Sequence, residues 1–301
     1  MAIEHVDVLI VGAGLSGIAA GYYVQTRCPQ KTYAILEARD TIGGTWDLFR
    51  YPGVRSDSDM YTLGYSFRPW PERKAIANGT SILKYVRETA ASFGINEKIR
   101  FQHGVHHLAW STDDALWTVD VERGPDREQI QLTCGFLFMC TGYYDYNHGY
   151  TPDWPGMERF QGRIVHPQQW LQDLDCTSKR IVVIGSGATA VTLVPALAEC
   201  AGHVTMLQRS PTYIVARPSH DAIGNWLHRY LPTRLADPLT RWKNITLGSY
   251  FYWLSRRRPE QVRKTILQWA REQLGPDYDL ERDFSPRYNP WDQRLCLVPD
   301  G

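Results

Sequence analysis

Gly12, Gly14 and Gly17 stand in the order G-x-G-x-x-G directly after the β-branched run Val6 to Val11. Gly185, Gly187 and Ala190 repeat that order after Ile181 to Ile184. In such a turn the first glycine permits the bend and the second lets the backbone come up to a pyrophosphate. The third position, glycine or alanine, brings helix and strand together. The helix that opens there directs N–H groups and the positive end of its dipole at the phosphates. What differs is the residue after the second strand of each unit. Tyr33 to Leu36 ends in Glu37, about 20 residues past the turn, where an acid accepts ribose hydroxyls and argues against a 2′-phosphate. His203 to Leu207 is followed by Arg209 and Ser210, and a guanidinium there suits the 2′-phosphate of NADPH. The plainer alternative for Arg209 is a solvated arginine at a strand end. Opposite charges at the two ribose positions point to FAD first and NADPH second, the equipment of a flavoprotein reductase or monooxygenase.

Other residue groups suit the same chemistry less specifically. In GGTWDLFRYPGVRSDSD, Gly43 and Gly44 allow a second close backbone approach, and Trp46 offers a flat face to a ring system. Arg55, Ser56 and Asp57 set a cation, a hydroxyl and an anion together; taken alone they read as a packed surface loop with an Arg–Asp ion pair. The run QIQLTCGFLFMCTGYY reads as another buried strand, ending in Cys140-Thr141-Gly142, small enough to pass beside a cofactor. Ser81 to Phe93 is helical in pattern, while the stretches around Phe101 to Val105 and Leu116 to Val121 alternate like a small meander. Pro195 is expected to kink or shorten the helix of the second unit. From about Asp221 to Phe284 the sequence is helical in character, with Trp, Tyr and Arg interleaved. The fold class is therefore α/β, two Rossmann-like dinucleotide-binding domains with a helical insertion at about 221–284 in the second.

The chain has 301 residues, enough for two domains with their own cores. Its 33 Lys and Arg nearly balance 32 Asp and Glu, so no global field draws it to nucleic acid. Six cysteines lack any CxxC spacing, which fits reduced thiols in the cytosol and neither a disulfide framework nor a metal site. The apolar N-terminal run lacks a basic leader and is broken by glycines, so it is expected to be a glycine-turn unit rather than a signal peptide. The basic run Arg256 to Arg258 follows Tyr250-Phe251-Tyr252-Trp253; a solvated helix end is its simplest meaning, and membrane contact would be peripheral at most. The sequence suggests a cytoplasmic protein and leaves its oligomeric state open.

GAGLSG, GGTW, RYPGVRSD, FQGRIVHPQQW and GSGATA, in this order and spacing, resemble the class B flavoprotein monooxygenases. Within them the chain is similar to the type I Baeyer–Villiger monooxygenases, whose fingerprint reads F-x-G-x-x-x-H-x-x-x-W followed by Pro or Asp. Phe160, Gly162, His166 and Trp170 match, and Leu171 departs at the last place. The resemblance implies that Gly12, Gly14, Ser16, Gly17, Glu37, Gly44, Thr45, Trp46, Asp47 and Leu48 hold FAD, with backbone atoms at Val105 against the adenine. It implies that Gly185, Ser186, Gly187, Ala188, Thr189, Ala190, Val191, Arg209 and Ser210 hold NADPH, and that Arg55, Ser56 and Asp57 lie where nicotinamide meets flavin. Arg294, in YNPWDQRLCL, falls at the active-site arginine and would pair with Asp57.

The implied reaction is FAD-dependent and NADPH-consuming. One oxygen of O2 is inserted through a flavin C4a-peroxide, turning ketones into esters and oxidising sulfides or thioamides at sulfur. The arginine would stabilise the anionic peroxide and the oxyanion of its adduct. His166 invites reading as a general base, but the resemblance gives its stretch a linking role between an FAD domain at 1–148 and an NADPH domain at 149–301. Helices of the insertion would wall the substrate cavity. Family members continue beyond the position of Gly301, so the chain is expected to be the front part of a longer protein, with weak FAD retention if it stands alone. The alternatives are an inactive dinucleotide-binding fragment and a flavin monooxygenase that oxygenates nitrogen or sulfur.

Overall fold

In the computed structural model, which describes residues 3–300, Glu4–Val11 is β1, Leu15–Arg27 is α1 and Tyr33–Leu36 is β2. Thr45–Leu48 (α2) and Met60–Leu63 (α3) are single turns. Gly79–Ser92 (α4) is the helix expected around Ser81 to Phe93; it buries Ile82, Tyr85, Val86 and Ala90, one face at helical spacing. Ile99–Arg100 (β3), His103–Ser111 (β4), Leu116–Arg123 (β5) and Glu128–Met139 (β6) complete a six-stranded sheet in the order β3-β2-β1-β6-β5-β4. β3, β2, β1 and β6 run parallel, and β6, β5 and β4 form the antiparallel meander. The core joins both parts: Val6, Leu9, Ala34 and Leu36 pack with Val119, Val121, Leu132 and Cys134.

The expectation that β6 is a buried strand holds only for Leu132 and Cys134 at its middle. β5 pairs with β6 as far as Trp117 opposite Cys134; beyond that β6 keeps only β1 as a neighbour. Phe136 and Phe138 are consequently 56% and 44% exposed. An apolar run states that burial is available to a strand, not which faces are covered.

In the second unit, Arg180–Ile184 (β7) and His203–Leu207 (β8) pair in parallel, with Ala188–Ala198 (α5) between them. Pro195 does not end α5, which runs three residues further; the proline removes one N–H without stopping the turn. Tyr213–Arg217 (β9) pairs in parallel with Leu295–Pro299 (β10). Between them come Ala222–Tyr230 (α6), Thr233–Arg257 (α7), Pro259–Leu274 (α8) and Leu280–Asp283 (α9), filling the stretch read as a helical insertion. Among the described residues no helix is long and apolar enough to cross a membrane.

The sequence predicts one cut between residues 148 and 149, whereas the chain is interleaved. One unit comprises the residues up to Arg50 with Gly79–Trp170; the other comprises Tyr51–Asn78 with the residues from Leu171 onward. Tyr51–Asn78 joins the second unit because Ala75 and Ile76 donate their N–H groups to the Ser219 carbonyl, and Gly53 lies against Thr192 and Ala196 of α5. The end of the fingerprint stretch joins the first because the Gln168 amide donates to the Asp145 carbonyl at 2.5 Å.

Candidate dinucleotide sites

The first turn is built by close backbone approach. Gly12 has φ +105°, and a Cβ there would stand 2.5 Å from the Cys140 carbonyl oxygen. A Cβ on Gly17 would collide with the Gly12 carbonyl oxygen, so this helix meets its strand only through glycine. Gly14 is the N-cap of α1, no side chain caps the helix, and its first turn holds no acid. Ser16 is exposed at that helix start. The dipole end is thus left for an external anion. Gly44 has φ +56° and faces Gly14 closely, so the GGTW segment comes up to the first turn.

Glu37 ends β2 in a buried position. Its carboxylate accepts from the Ala13 N–H at 2.8 Å and the Arg39 N–H at 3.0 Å, while its carbonyl accepts from His103 N–H at 2.9 Å. The last bond brings the start of β4 to the acid. Val105, two residues on, pairs with Val121 beside a bulge and packs its side chain on the core. Thr45, Trp46 and Leu48 are half-buried around α2. Asp47 is only 1% exposed and turns inward, accepting from Arg39 at 2.5 Å, Arg87 at 3.0 Å and Arg50 at 3.3 Å. It anchors three arginines around the turn.

The second turn is looser. Gly185 has φ +133°; a Cβ there would lie 3.9 Å from the Ala190 Cβ, and nothing lies within 4 Å of one on Gly187. That space is why alanine is tolerated at Ala190 and why the Gly187 backbone is open to a ligand. α5 also starts without a side-chain cap or an early acid. Ser186 is buried: its hydroxyl donates to the Ser210 carbonyl at 3.0 Å and accepts from Thr212 at 3.1 Å, fixing the strand-end loop. Ala188 is exposed, Thr189 hydrogen-bonds the Tyr51 phenol, and Val191 is buried. Arg209 is exposed, and among the described residues no carboxylate lies within ion-pair distance of it. A free guanidinium beside an open glycine turn fits a 2′-phosphate.

Arg55, Asp57 and Arg294 share one neighbourhood of the second unit. All three act on the buried Cys296 thiol, which burial pushes up to about 11. The expected Asp57–Arg294 ion pair is not formed: Arg294 is exposed just ahead of β10, and Arg55 is the cation that acts on Asp57. Arg55 donates to Thr192 Oγ1 at 2.6 Å and to the Leu297 carbonyl at 3.1 Å, and its Nε is buried without a partner. Desolvation raises the Asp57 carboxyl above its ordinary range and Arg55 opposes the shift. Ser56 is buried and exchanges hydrogen bonds with Ala77 through both its N–H and its hydroxyl, which makes it a staple of the loop.

Two side chains at the first turn escape sequence reasoning. Arg39 follows Glu37 by two residues, and its Nη1 is buried without a hydrogen-bond partner. Tyr146 shares a hydrogen bond with Thr45, lies against Gly44, and carries the Arg39 guanidinium 5.6 Å from its ring centre. Arg39 looks like any surface arginine, and Tyr146 is one of four tyrosines in YYDYNHGY, so only the folded chain singles them out.

Comparison with known proteins places these sites in context. A family model described as flavin-binding monooxygenase-like matches residues 6–241. The FAD-containing monooxygenase EthA of Mycobacterium tuberculosis (strain ATCC 25618 / H37Rv) is 56% identical over 299 residues, covering 99% of this chain and 61% of its own length. A steroid monooxygenase structure bound to NADP is 32% identical with a TM-score of 0.61, over 70% of this chain and 40% of that one. The OTEMO complex with FAD and NADP, 22% identical, shares the fold with a TM-score of 0.72 over 97% of this chain and 62% of its own. The chain spans about three-fifths of the length of the curated relatives it matches.

Proposed function

Because the chain belongs to the flavin-binding monooxygenase-like family, we propose that it binds FAD in its first unit and NADPH in its second. These serve the insertion of one atom of O2 into a small organic substrate. The substrate class is a ketone, oxidised in the Baeyer–Villiger sense to an ester, or a sulfide or thioamide oxidised at sulfur. The observation that carries the reading is the contrast between the two strand ends: a buried acid, Glu37, after one glycine turn and an exposed, unpaired arginine, Arg209, after the other.

FAD would be held by Gly12, Gly14, Ser16 and Gly17 at the pyrophosphate, by Glu37 at the ribose, and by the segment from Gly44 to Leu48, with the Val105 backbone at the adenine. NADPH would be held by Gly185 to Val191, Arg209 and Ser210. FAD held there, with NADPH as the reductant, would supply the activation of O2 that no side chain provides. The protein's own residues supply position and charge. Arg55, tied to Thr192 and Leu297, sets a fixed cation beside Asp57. Arg294 adds a second cation uncommitted to any carboxylate among the described residues, the condition for stabilising negative charge that develops on a reacting oxygen. Asp57 moderates the charge of Arg55.

The test is the visible spectrum of the purified chain after incubation with FAD. Flavin absorbance should bleach with NADPH and return in air, and Arg209→Ala should weaken NADPH about tenfold or more while leaving NADH unchanged. A protein that stays colourless would remove the flavin assignment. Product analysis with one ketone and one sulfide, repeated with Arg294→Ala, separates the two reactions. Ester formation unchanged in that variant would remove Arg294 from the chemistry.

A further inference from the structure

We propose that Arg39 and Tyr146 form a second polar wall of the first dinucleotide site, and that the fingerprint stretch acts through that wall. His166 and Gln168 hold the loop that carries Tyr146. The inference rests on the reading of the first turn as the flavin site.

The wall is defined by what surrounds it. Arg39 begins beside the ribose acid, its N–H bonded to Glu37, and its Nη2 is fixed by Asp47 at 2.5 Å. Asp47 is itself held by Arg50 and Arg87, so the Arg39 head cannot swing away without breaking a buried cluster. Its Nη1 is left buried with no acceptor among the described residues. A buried charged donor calls for an acceptor, and the oxygen-rich ribose-pyrophosphate of a dinucleotide entering between Glu37 and Gly44 would bring one. The Tyr146 phenol stands beside the same turn. It lies 3.4 Å from where a Cβ on Gly44 would be, and Thr45 hydrogen-bonds it. Burial raises its pKa, Glu37 and Asp47 add to the rise, and the hydroxyl remains a donor at neutral pH. Its ring also faces the Arg39 guanidinium, so the two side chains are placed together.

The loop bearing Tyr146 is held from several sides. Asp145 accepts the Asn147 N–H at 2.9 Å and pairs with His148, Phe49 meets Tyr144 edge to face, and a further tie comes from the stretch whose Phe, Gly, His and Trp spacing marks the family. The Gln168 side chain, 9% exposed, donates to the carbonyl of Asp145, the residue before Tyr146. His166 accepts the Gln168 N–H on Nδ1 at 3.2 Å, and its imidazole lies flush on Gly149, where any Cβ would overlap the ring. The Phe160 ring covers Gly162 in the same manner. Each half of the motif is thus an aromatic ring laid over a glycine, and the histidine ring is the one that meets the Tyr146 loop. His166 is on this account a positioning residue, and no reacting group needs to touch it.

The experiment titrates FAD into the 301-residue chain and follows quenching of flavin fluorescence. Tyr146→Phe should weaken FAD about fivefold and Arg39→Lys about tenfold, the loss of one neutral and one charge-assisted hydrogen bond. His166→Asn keeps an acceptor for the Gln168 N–H but removes the ring. It should match the loss of Tyr146→Phe and add nothing in the double variant Tyr146→Phe/His166→Asn. Additive losses, or a lowered melting temperature with unchanged FAD affinity, would show a purely structural histidine and overturn the coupling. Gly14→Val serves as the control for the site itself. If wild type binds FAD and Gly14→Val does not, while Tyr146→Phe and Arg39→Lys bind like wild type, the wall is wrong and the flavin site stands. If wild type takes up no FAD, both fall.

Discussion

A single atom separates the third positions of the two glycine turns. At Gly17 a Cβ has nowhere to go but into the Gly12 carbonyl, a backbone atom that cannot yield without undoing the turn. At Ala190 the same atom already sits 3.9 Å from the position of a Gly185 Cβ. Gly17→Ala should therefore cost about 2–3 kcal/mol of stability and abolish FAD uptake, while Ala190→Gly should cost about 1 kcal/mol through helix propensity alone. Thermal denaturation of the two variants side by side checks this. Such residues were legible from sequence because their chemistry is local: a glycine in a turn and an acid after a strand announce themselves by spacing. Arg39 and Tyr146 were not, since what singles them out is a missing acceptor and a ring stacked across about a hundred residues of intervening chain. The Asp57–Arg294 pair failed for the complementary reason. A charge match in sequence fixes no distance, and Arg55 was nearer.

Among the elements, the helical insertion depends on one acid at its entrance. Asp221 caps α6 by accepting the Gly224 N–H at 2.8 Å, accepts from Asn244 of α7 at 3.0 Å, and pairs with Lys243 of the same helix. Burial alone would raise its pKa, but the Lys243, Gly224 and Asn244 bonds outweigh it and the carboxyl titrates below its usual value. A depressed folded pKa means that the stabilisation is complete above the unfolded value of about 3.9 and is lost as pH falls through the folded one. Asp221→Ala should cost about 2–3 kcal/mol at neutral pH, from a lost cap and a stranded lysine. The difference from wild type should shrink in strong acid, as circular dichroism against pH would record. Strand and helix identities in both units were readable from periodicity. The continuation of α5 past Pro195 and the exposed half of β6 were not, because each depends on what packs alongside.

At the scale of the molecule, the arithmetic of two glycine turns and one insertion came through, but the boundary between units did not. The chain leaves and re-enters each unit, and the segment Tyr51–Asn78 is held by backbone hydrogen bonds to Ser219 that no linear pattern encodes. Both units also leave large apolar side chains in the open: Phe136, Phe138 and Met139 on β6, Val182 and Ile184 on β7, and Leu207 on β8. Native protein should enhance the fluorescence of an apolar-surface dye at temperatures well below its melting point. Phe136→Ser with Val182→Ser should reduce that signal while near-ultraviolet dichroism stays unchanged. Fluorescence as low in wild type as in the double variant would show those surfaces to be covered.

Where β5 stops, the free side of β6 from Gly135 to Met139 keeps a row of backbone N–H and carbonyl groups with no strand beside it among the described residues, and no charged side chain guards it. Two molecules meeting along that row could zip together without either one unfolding. Turbidity of a solution of this protein should therefore climb with its concentration, as light scattering would record.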